Sequence, residues 1–274
     1  MIREITDIQP YIAFTEKFIC DSCFSDPNLI GDGGVLNFAD NSDKRCFGVF
    51  RDDELIGLFV FLILPEEKYM ELLNGLSEEA GAYDELFVYL EENYPGYQAD
   101  FIINPGNYLF RKRLEARNAE FNTEQQRMIY THQLPETDTD AVQVLSEPYA
   151  EQYCAMHGKD MYWTAEKVME RPDRFRTLIA LDHDTVAGYI DVTCCYDENE
   201  PYDLLVREDY RRKGYGRQLL AEALKQNEPN GMILLVDVDN IPALRLYESM
   251  GFVKAEGQNN LTVHLLLRHP ASPE

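Results

Sequence analysis

Two segments about 131 residues apart read alike, and a chain that repeats itself at such a distance has few ways to fold. VFRDDELIGLFVF (49–61) and ALDHDTVAGYIDV (180–192) each give an apolar strand, an acidic turn and a second strand carrying Gly57 or Gly188. That is a hairpin pattern. Farther on, NYLFRKRLEARNAEF (107–121) and NIPALRLYESMGFVK (240–254) each follow an apolar strand. Each reads as a short helix, a turn residue (Asn118 or Gly251) and a final strand. Gly188 lies 131 residues beyond Gly57, and Asn240 lies 133 beyond Asn107. Two matches in one order at nearly one spacing indicate an internal duplication. A chain of 274 residues suits two modest domains or one large one. The polar, proline-bearing LPETDTDA (134–141) is the natural linker. The expected domains are therefore 1–134 and 141–274.

The second half reads as two short helices in EPYAEQYCAMHG and TAEKVMERP, a hairpin over 177–193 and a strand YDLLV. A helix GRQLLAEALKQ, a strand MILLVDV, a helix IPALRLYESM and a last strand LTVHLLL follow. Helices alternate with strands after an antiparallel start, so the fold class is α/β with a mixed sheet.

Composition narrows the partners. The chain carries 49 acidic against 25 basic residues, a net charge of -24. Such a surface repels a phosphate backbone, which argues against nucleic acid. It suits a cationic acceptor such as an amine, or serves solubility alone. The start MIREITDIQP has no apolar signal region. The longest apolar run, IGLFVFLIL (56–64), is too short to span a bilayer and reads as a buried strand. A cytoplasmic protein with no membrane partner is expected. Cys20 and Cys23 form a C-x-x-C, but no second pair completes a zinc set, so no metal is expected. Cys194 and Cys195 read as strand packing.

Positive charge and glycine gather at one place, REDYRRKGYGRQLLAEAL (207–224). A strand, a glycine turn and a helix present unpaired N–H groups at the helix N-terminus, where the helix dipole favours an anion. Gly214 and Gly216 let a ligand approach the backbone. Arg211, Arg212, Lys213 and Arg217 add positive charge. The segment lacks the lysine-serine of a P-loop and the G-x-G-x-x-G of a dinucleotide turn. A solvated basic helix start is the alternative reading.

Arg211-x-x-Gly214-x-Gly216 after an apolar strand, followed by Asn240-x-x-Ala243-x-x-x-Tyr247-x-x-x-Gly251-Phe252, resembles the GNAT superfamily of acyl-CoA-dependent N-acyltransferases. The resemblance covers about 142–267 and implies two tandem GNAT-like domains. It implies acetyl-CoA, or another acyl-CoA, as co-substrate. The pyrophosphate would lie on the backbone of Arg212, Lys213, Gly214, Tyr215, Gly216 and Arg217, with Leu204 and Val206 along the pantetheine arm. It further implies direct attack by a primary amine of a small molecule or peptide. Tyr247 stands where the family carries a tyrosine acid; an ordinary packed aromatic is the other reading. Glu200 stands where some members place a base, with Asp203 or a relayed water as rivals. Asn240 would contact the coenzyme or cap the following helix. His157, Tyr162 and Trp163 fall in the region that walls the family's acceptor site. His183 reads as a solvated turn residue.

The first half lacks these features. At an offset of 133, Gly81 falls opposite Gly214, Glu78 and Glu79 replace Arg211 and Arg212, Tyr83 replaces Gly216, and Leu114 replaces Tyr247. Carboxylates there repel a pyrophosphate. The expectation is a degenerate first copy and an acetyltransferase second copy. The alternatives are an acyl-CoA-binding sensor without turnover and a purely structural relic.

Overall fold

The computed structural model describes residues 1–19, 23, 43–158 and 161–269. In chain order its elements are β1 (Ile2–Ile5), α1 (Ile12–Ile19), β2 (Lys44–Arg51), β3 (Glu54–Leu64), β4 (Tyr69–Leu76), α2 (Ala80–Asn93), β5 (Gln98–Ile103), α3 (Tyr108–Glu115) and β6 (Glu120–Phe121). The chain continues through β7 (Gln125–Tyr130), β8 (Val142–Val144), α4 (Ala150–Met156), α5 (Ala165–Met169), β9 (Phe175–Asp182), β10 (Thr185–Thr193) and β11 (Glu198–Asn199). It ends with β12 (Pro201–Val206), α6 (Tyr215–Asn227), β13 (Gly231–Asp237), α7 (Ile241–Ser249), β14 (Phe252–Lys254) and β15 (Leu261–Leu266).

The chain forms two compact units. Unit 1 takes in the described residues of Met1–Gln126, Asp237–Asp239 and Glu256–Glu274; unit 2 is built from Arg127–Val236 and Asn240–Ala255. This departs from the contiguous halves 1–134 and 141–274 at their ends. Unit 1 has one sheet, ordered β1-β2-β3-β4-β5-β15-β6. Unit 2 repeats that order as β8-β9-β10-β12 and β13-β7-β14, in two separate sheets, with β11 added beside β13. The strand that closes each half of the sequence thus completes the other unit's sheet. β15 runs antiparallel to β5 with Leu261 opposite Ile103, and β7 runs antiparallel to β14 with Tyr130 opposite Phe252.

β3 shows why the apolar run 56–64 is a strand. Side chains alternate across a sheet, and both faces here are covered. Phe59 and Phe61 join the core that contains Leu86, Phe87 and Leu90 of α2, while Leu58 and Val60 join the one that contains Phe18 of α1. β10 does the same in unit 2. Ile190 and Val192 pack with Leu220 and Leu224 of α6, and Tyr189 packs with Tyr153 of α4.

The duplication extends to backbone detail. Gly57 pairs with Val49, and Gly188 with Ala180, each beside a register shift. A Cβ on Gly188 would lie 2.7 Å from the Leu205 carbonyl oxygen, so only glycine fits there. His183, 96% exposed in its side chain, takes the same positive φ as Asp52 (54° and 49°). Asn118 and Gly251 both turn at positive φ (55° and 88°). Asn107 and Asn240 both cap helices, accepting from Phe110 N–H at 3.1 Å and Ala243 N–H at 3.2 Å.

Two local expectations change. The segment 134–141 is irregular but docked on α6: Thr139 donates to Glu222 at 2.9 Å and receives from Lys225 at 3.1 Å. Cys194 and Cys195 lie just past the end of β10, with Cys195 exposed, so they are not strand packing. Cys20 lies outside the described residues. No described helix is long and apolar enough to cross a membrane, and no metal-binding group of His, Cys, Asp and Glu occurs among the described residues.

Candidate functional site

The site begins where the sheet of unit 2 opens. β11 runs parallel to β13, pairing Glu198 with Gly231 and Asn199 with Met232. Pro201 then starts β12, which pairs with β10 and leaves β13. β12 is consequently half-exposed along its whole length, whereas β10 is buried almost throughout. The open edge of β12 presents backbone groups that no neighbouring strand takes up.

The basic glycine segment follows directly. Arg212 (φ 62°) and Gly214 (φ 95°) both lie in the left-handed region. A turn with left-handed residues of this kind can gather N–H groups into an anion-binding concavity. Gly214 is the N-cap of α6 and offers no side-chain cap. The first helical hydrogen bond runs from Gln218 N–H to Gly214 O at 3.0 Å. The amides of Tyr215, Gly216 and Arg217 therefore have no carbonyl within the helix to meet. A Cβ on Gly216 would sit 3.6 Å from Val206 and 3.7 Å from Leu246, pointing between β12 and α7.

A cleft of about 800 Å³ runs from this segment along β12 to α7. It brings together Leu204, Val206, Arg211, Arg212, Gly214, Tyr215, Gly216, Arg217, Asn240 and Tyr247. Lys213 is outside the lining; its ammonium lies 4.8 Å from the centre of the Tyr210 ring. Arg211 Nε donates to Val206 O at 3.1 Å, and Arg217 reaches Ser249 Oγ at 2.6 Å, which ties the loop to β12 and α7. Residues 204–206, 214–217 and 240–247 can thus hold an extended ligand with an anionic end. Tyr247 lines this cleft. Burial, and then the charge of Asp203, hold its phenol above its ordinary value. It therefore keeps its proton at neutral pH and can donate it.

Glu200 does not line the cleft. It sits in the bend before β12, where its amide is fixed by Thr193 Oγ1 at 2.8 Å. Surrounding protein raises its carboxyl above the usual range, and the charges of Arg127 and Arg174 oppose this. Asp203 faces the other side of β12, where it accepts from Tyr189 Oη at 2.5 Å. His157 is buried, 1% exposed in its side chain, and so is not on an open wall. Its Nε2 lies 3.2 Å from Asp191 Oδ2. Asp191 also accepts from Tyr153 at 2.9 Å and Thr177 at 2.6 Å, while the His157 ring stacks on Tyr189. The Asp191 hydrogen bond raises the His157 pKa against the opposing effect of burial. Tyr162 is 76% exposed. Trp163 is half-buried, and its backbone N–H donates to the Tyr202 hydroxyl at 3.2 Å.

The family model for the acetyltransferase (GNAT) domain matches residues 173–254, the span that contains β9 through β14. The chain carries a GNAT acetyltransferase domain. A [ribosomal protein bS18]-alanine N-acetyltransferase of Salmonella typhimurium is 31% identical over 91 residues, 32% of this chain and 62% of that relative. The chain thus spans less than two thirds of the curated relatives it matches. Two solved structures cover it almost entirely: a GCN5-related N-acetyltransferase of Sphaerobacter thermophilus (14% identity, 100% of this chain and 97% of that one, TM-score 0.66) and a tandem GNAT protein from the clavulanic acid biosynthesis pathway (12% identity, 100% and 99%, TM-score 0.56). At these identities the likeness concerns the fold, which is two GNAT-like α/β domains in tandem.

Sequence reasoning missed several residues of the GNAT domain's site. Tyr210, Pro242 and Leu246 line the cleft but carry no motif. Asp191 had a signal: an acid at the same parity as Tyr189 in an apolar strand must find partners inside. Arg174, Phe175 and Tyr202, described below, gave none. The alignment of the first half also shifts. α2 starts at Ala80 and α6 at Tyr215, so Gly81 corresponds to Gly216, inside the helix, and not to Gly214. The N-cap of α2 is Glu79, in extended conformation. Three residues, 77–79, join β4 to α2, against eight, 207–214, joining β12 to α6.

Proposed function

We propose that unit 2 transfers an acetyl group from acetyl-CoA to a primary amine of a small molecule or peptide, both substrates being present together. The observation that supports this most is the union, in one cleft, of the left-handed loop at Arg212 and Gly214, the free N-terminus of α6, the open edge of β12 and Tyr247. Acetyl-CoA, when bound, supplies the acyl group as a thioester that an uncharged amine attacks directly. The amides of residues 212–217 hold the pyrophosphate. Leu204 and Val206 flank the arm, and the open backbone of β12 polarises the acyl oxygen. As the C–N bond forms and the C–S bond breaks, Tyr247 Oη gives its proton to the departing sulfur and recovers one from the N–H that the new amide nitrogen sheds. Glu200, its carboxyl held above the ordinary range by burial, accepts the proton of the incoming ammonium. Asp203 is the second reading for that step, favoured by its field at Tyr247.

Unit 1 keeps the fold without the chemistry. Its β4–α2 connection is too short to form the loop, and Leu114 stands in place of Tyr247. Tyr83 fills the space between strand and helix, donating to Ser77 O at 2.7 Å and receiving from Asn107 at 3.0 Å. The ribosomal-protein relative acts on an alanine amine, which agrees with an amine acceptor here.

The test is a screen of primary amines for acetyl-CoA-dependent thiol release. Tyr247→Phe should lower turnover roughly 100-fold or more, the usual contribution of a positioned acid, with acetyl-CoA affinity unchanged. Turnover within about twofold of wild type would remove Tyr247 from the mechanism.

A further inference from the structure

Near the start of β12, five aromatic and charged residues form a structure that the transfer chemistry does not use. The guanidinium of Arg174 lies 5.0 Å from the centre of the Trp163 ring, 5.6 Å from that of Phe175 and 5.7 Å from that of Tyr196. Its Nε is buried and has no hydrogen-bond partner. No carboxylate of the described residues makes an ion pair with it, in a chain with 49 acidic residues. Its neighbour Arg171, by contrast, is paired with Asp173 at 2.7 Å. Rings that pack around a guanidinium fix its plane and leave its terminal N–H fork to meet a planar anion.

The position of this ring places it beside the reaction. Trp163 is bonded to the Tyr202 hydroxyl, and the Phe175 and Tyr202 rings lie 5.9 Å apart. Tyr202 sits at the register shift of β12: Asp203 pairs with Asp191 and Pro201 with Val192, so Tyr202 has no partner in the ladder. A bulge re-aims a side chain, and here it aims one at Trp163. Tyr202 lies two residues, or about 7 Å of strand, before Leu204, which lines the cleft. Glu200, just before the same strand, feels the charge of Arg174.

Resting on the transferase reading above, we propose that Arg174, held by Trp163, Phe175 and Tyr196, selects acceptors that carry a carboxylate near their amine. The fork of Arg174 takes the carboxylate in two hydrogen bonds, and Glu200 and Asp203 draw the ammonium toward β12. A single guanidinium with a carboxylate nearby fits a monoanion better than a phosphate dianion, which Glu200 repels. The net charge of -24 favours a cationic acceptor; the local arrangement selects a zwitterion.

Trp163 is the one tryptophan of the sequence, so its fluorescence reports occupancy without turnover. With acetyl-CoA saturating, phenylalanine and 2-phenylethylamine would be titrated in parallel, then assayed for thiol release. The proposal expects the carboxylate-bearing amine to bind at least about tenfold more tightly, the effect of a charge-assisted pair. Arg174→Gln should erase that preference and leave acetyl-CoA affinity unchanged. Arg174→Lys, which keeps the charge and loses the fork, should reduce it. Equal binding of the two amines, tighter binding of 2-phenylethylamine, or a preference that survives in Arg174→Gln, would overturn the proposal. If both amines bind with the expected preference but no thiol is released, carboxylate selection stands and the transferase reading fails.

Discussion

Replacing Asp191 by alanine removes the acceptor for three buried donors: Tyr153 Oη at 2.9 Å, His157 Nε2 at 3.2 Å and Thr177 Oγ1 at 2.6 Å. Each unmet buried donor costs roughly 1–3 kcal/mol. Relaxation recovers part of this, and the sum should fall near the 3–5 kcal/mol found when one partner of a buried pair is lost. For a unit of this size that corresponds to a fall in Tm of about 10–20 °C. The loss has a pH signature. His157 has a raised pKa in the folded protein, chiefly through Asp191. Its protonation therefore contributes stability that is full below the unfolded value of about 6.5 and fades as pH rises through the folded pKa. Asp191→Asn removes the charge that causes this. Wild type and Asp191→Asn should differ most in Tm near about pH 6 and least near about pH 9. Calorimetry across that range is the assay. A fall of under about 2 °C for Asp191→Ala, or a wild-type gap over Asp191→Asn that widens with pH, would refute the reasoning.

Other outcomes follow from the same site. Tyr247→Phe should lose turnover while keeping acetyl-CoA, as set out above. Glu200→Gln should lower turnover at least about tenfold and flatten the acid limb of the pH–rate profile, a limb that lies above the ordinary carboxylate range because the Glu200 pKa is raised. If Asp203→Asn flattens that limb and Glu200→Gln leaves it, Asp203 is the base. Gly188→Ala would place a methyl 2.7 Å from the Leu205 carbonyl oxygen, a backbone atom that cannot step aside. It should cost roughly 1–3 kcal/mol in a melting experiment and weaken acetyl-CoA binding by moving β12.

How much of this was legible in the sequence depended on how local the signal was. The left-handed turn before α6 was legible because glycine acts where it stands, at Gly214. The duplication was legible because Gly57, Gly188, Asn118 and Gly251 answer local backbone demands. The exchange of β7 and β15 was not. Alternation in QRMIYTHQL and LTVHLLL specifies a half-buried strand and carries no address for its partner. Nor was the difference in loop length: two glycines aligned at a constant offset hid a connection five residues shorter before α2. Fixed spacing fails wherever a loop has gained or lost residues. The segment around His157 suggests an acceptor contact, but its partner Asp191 lies 34 residues away, and only the fold brings the two together. The ring around Arg174 is built from residues 163, 175, 196 and 202, distant in sequence and joined by the bulge at Tyr202.

The central claim is that one cleft, in unit 2, holds acetyl-CoA through the loop at 212–217. Calorimetric titration with acetyl-CoA tests it most directly, alongside Gly216→Glu. A carboxylate placed about 4 Å from a pyrophosphate costs about 1 kcal/mol per charge pair even in water, so affinity should fall at least about tenfold. The account predicts one site per chain, lost or strongly weakened in the variant. Two sites per chain, or an affinity that Gly216→Glu leaves unchanged, would contradict it.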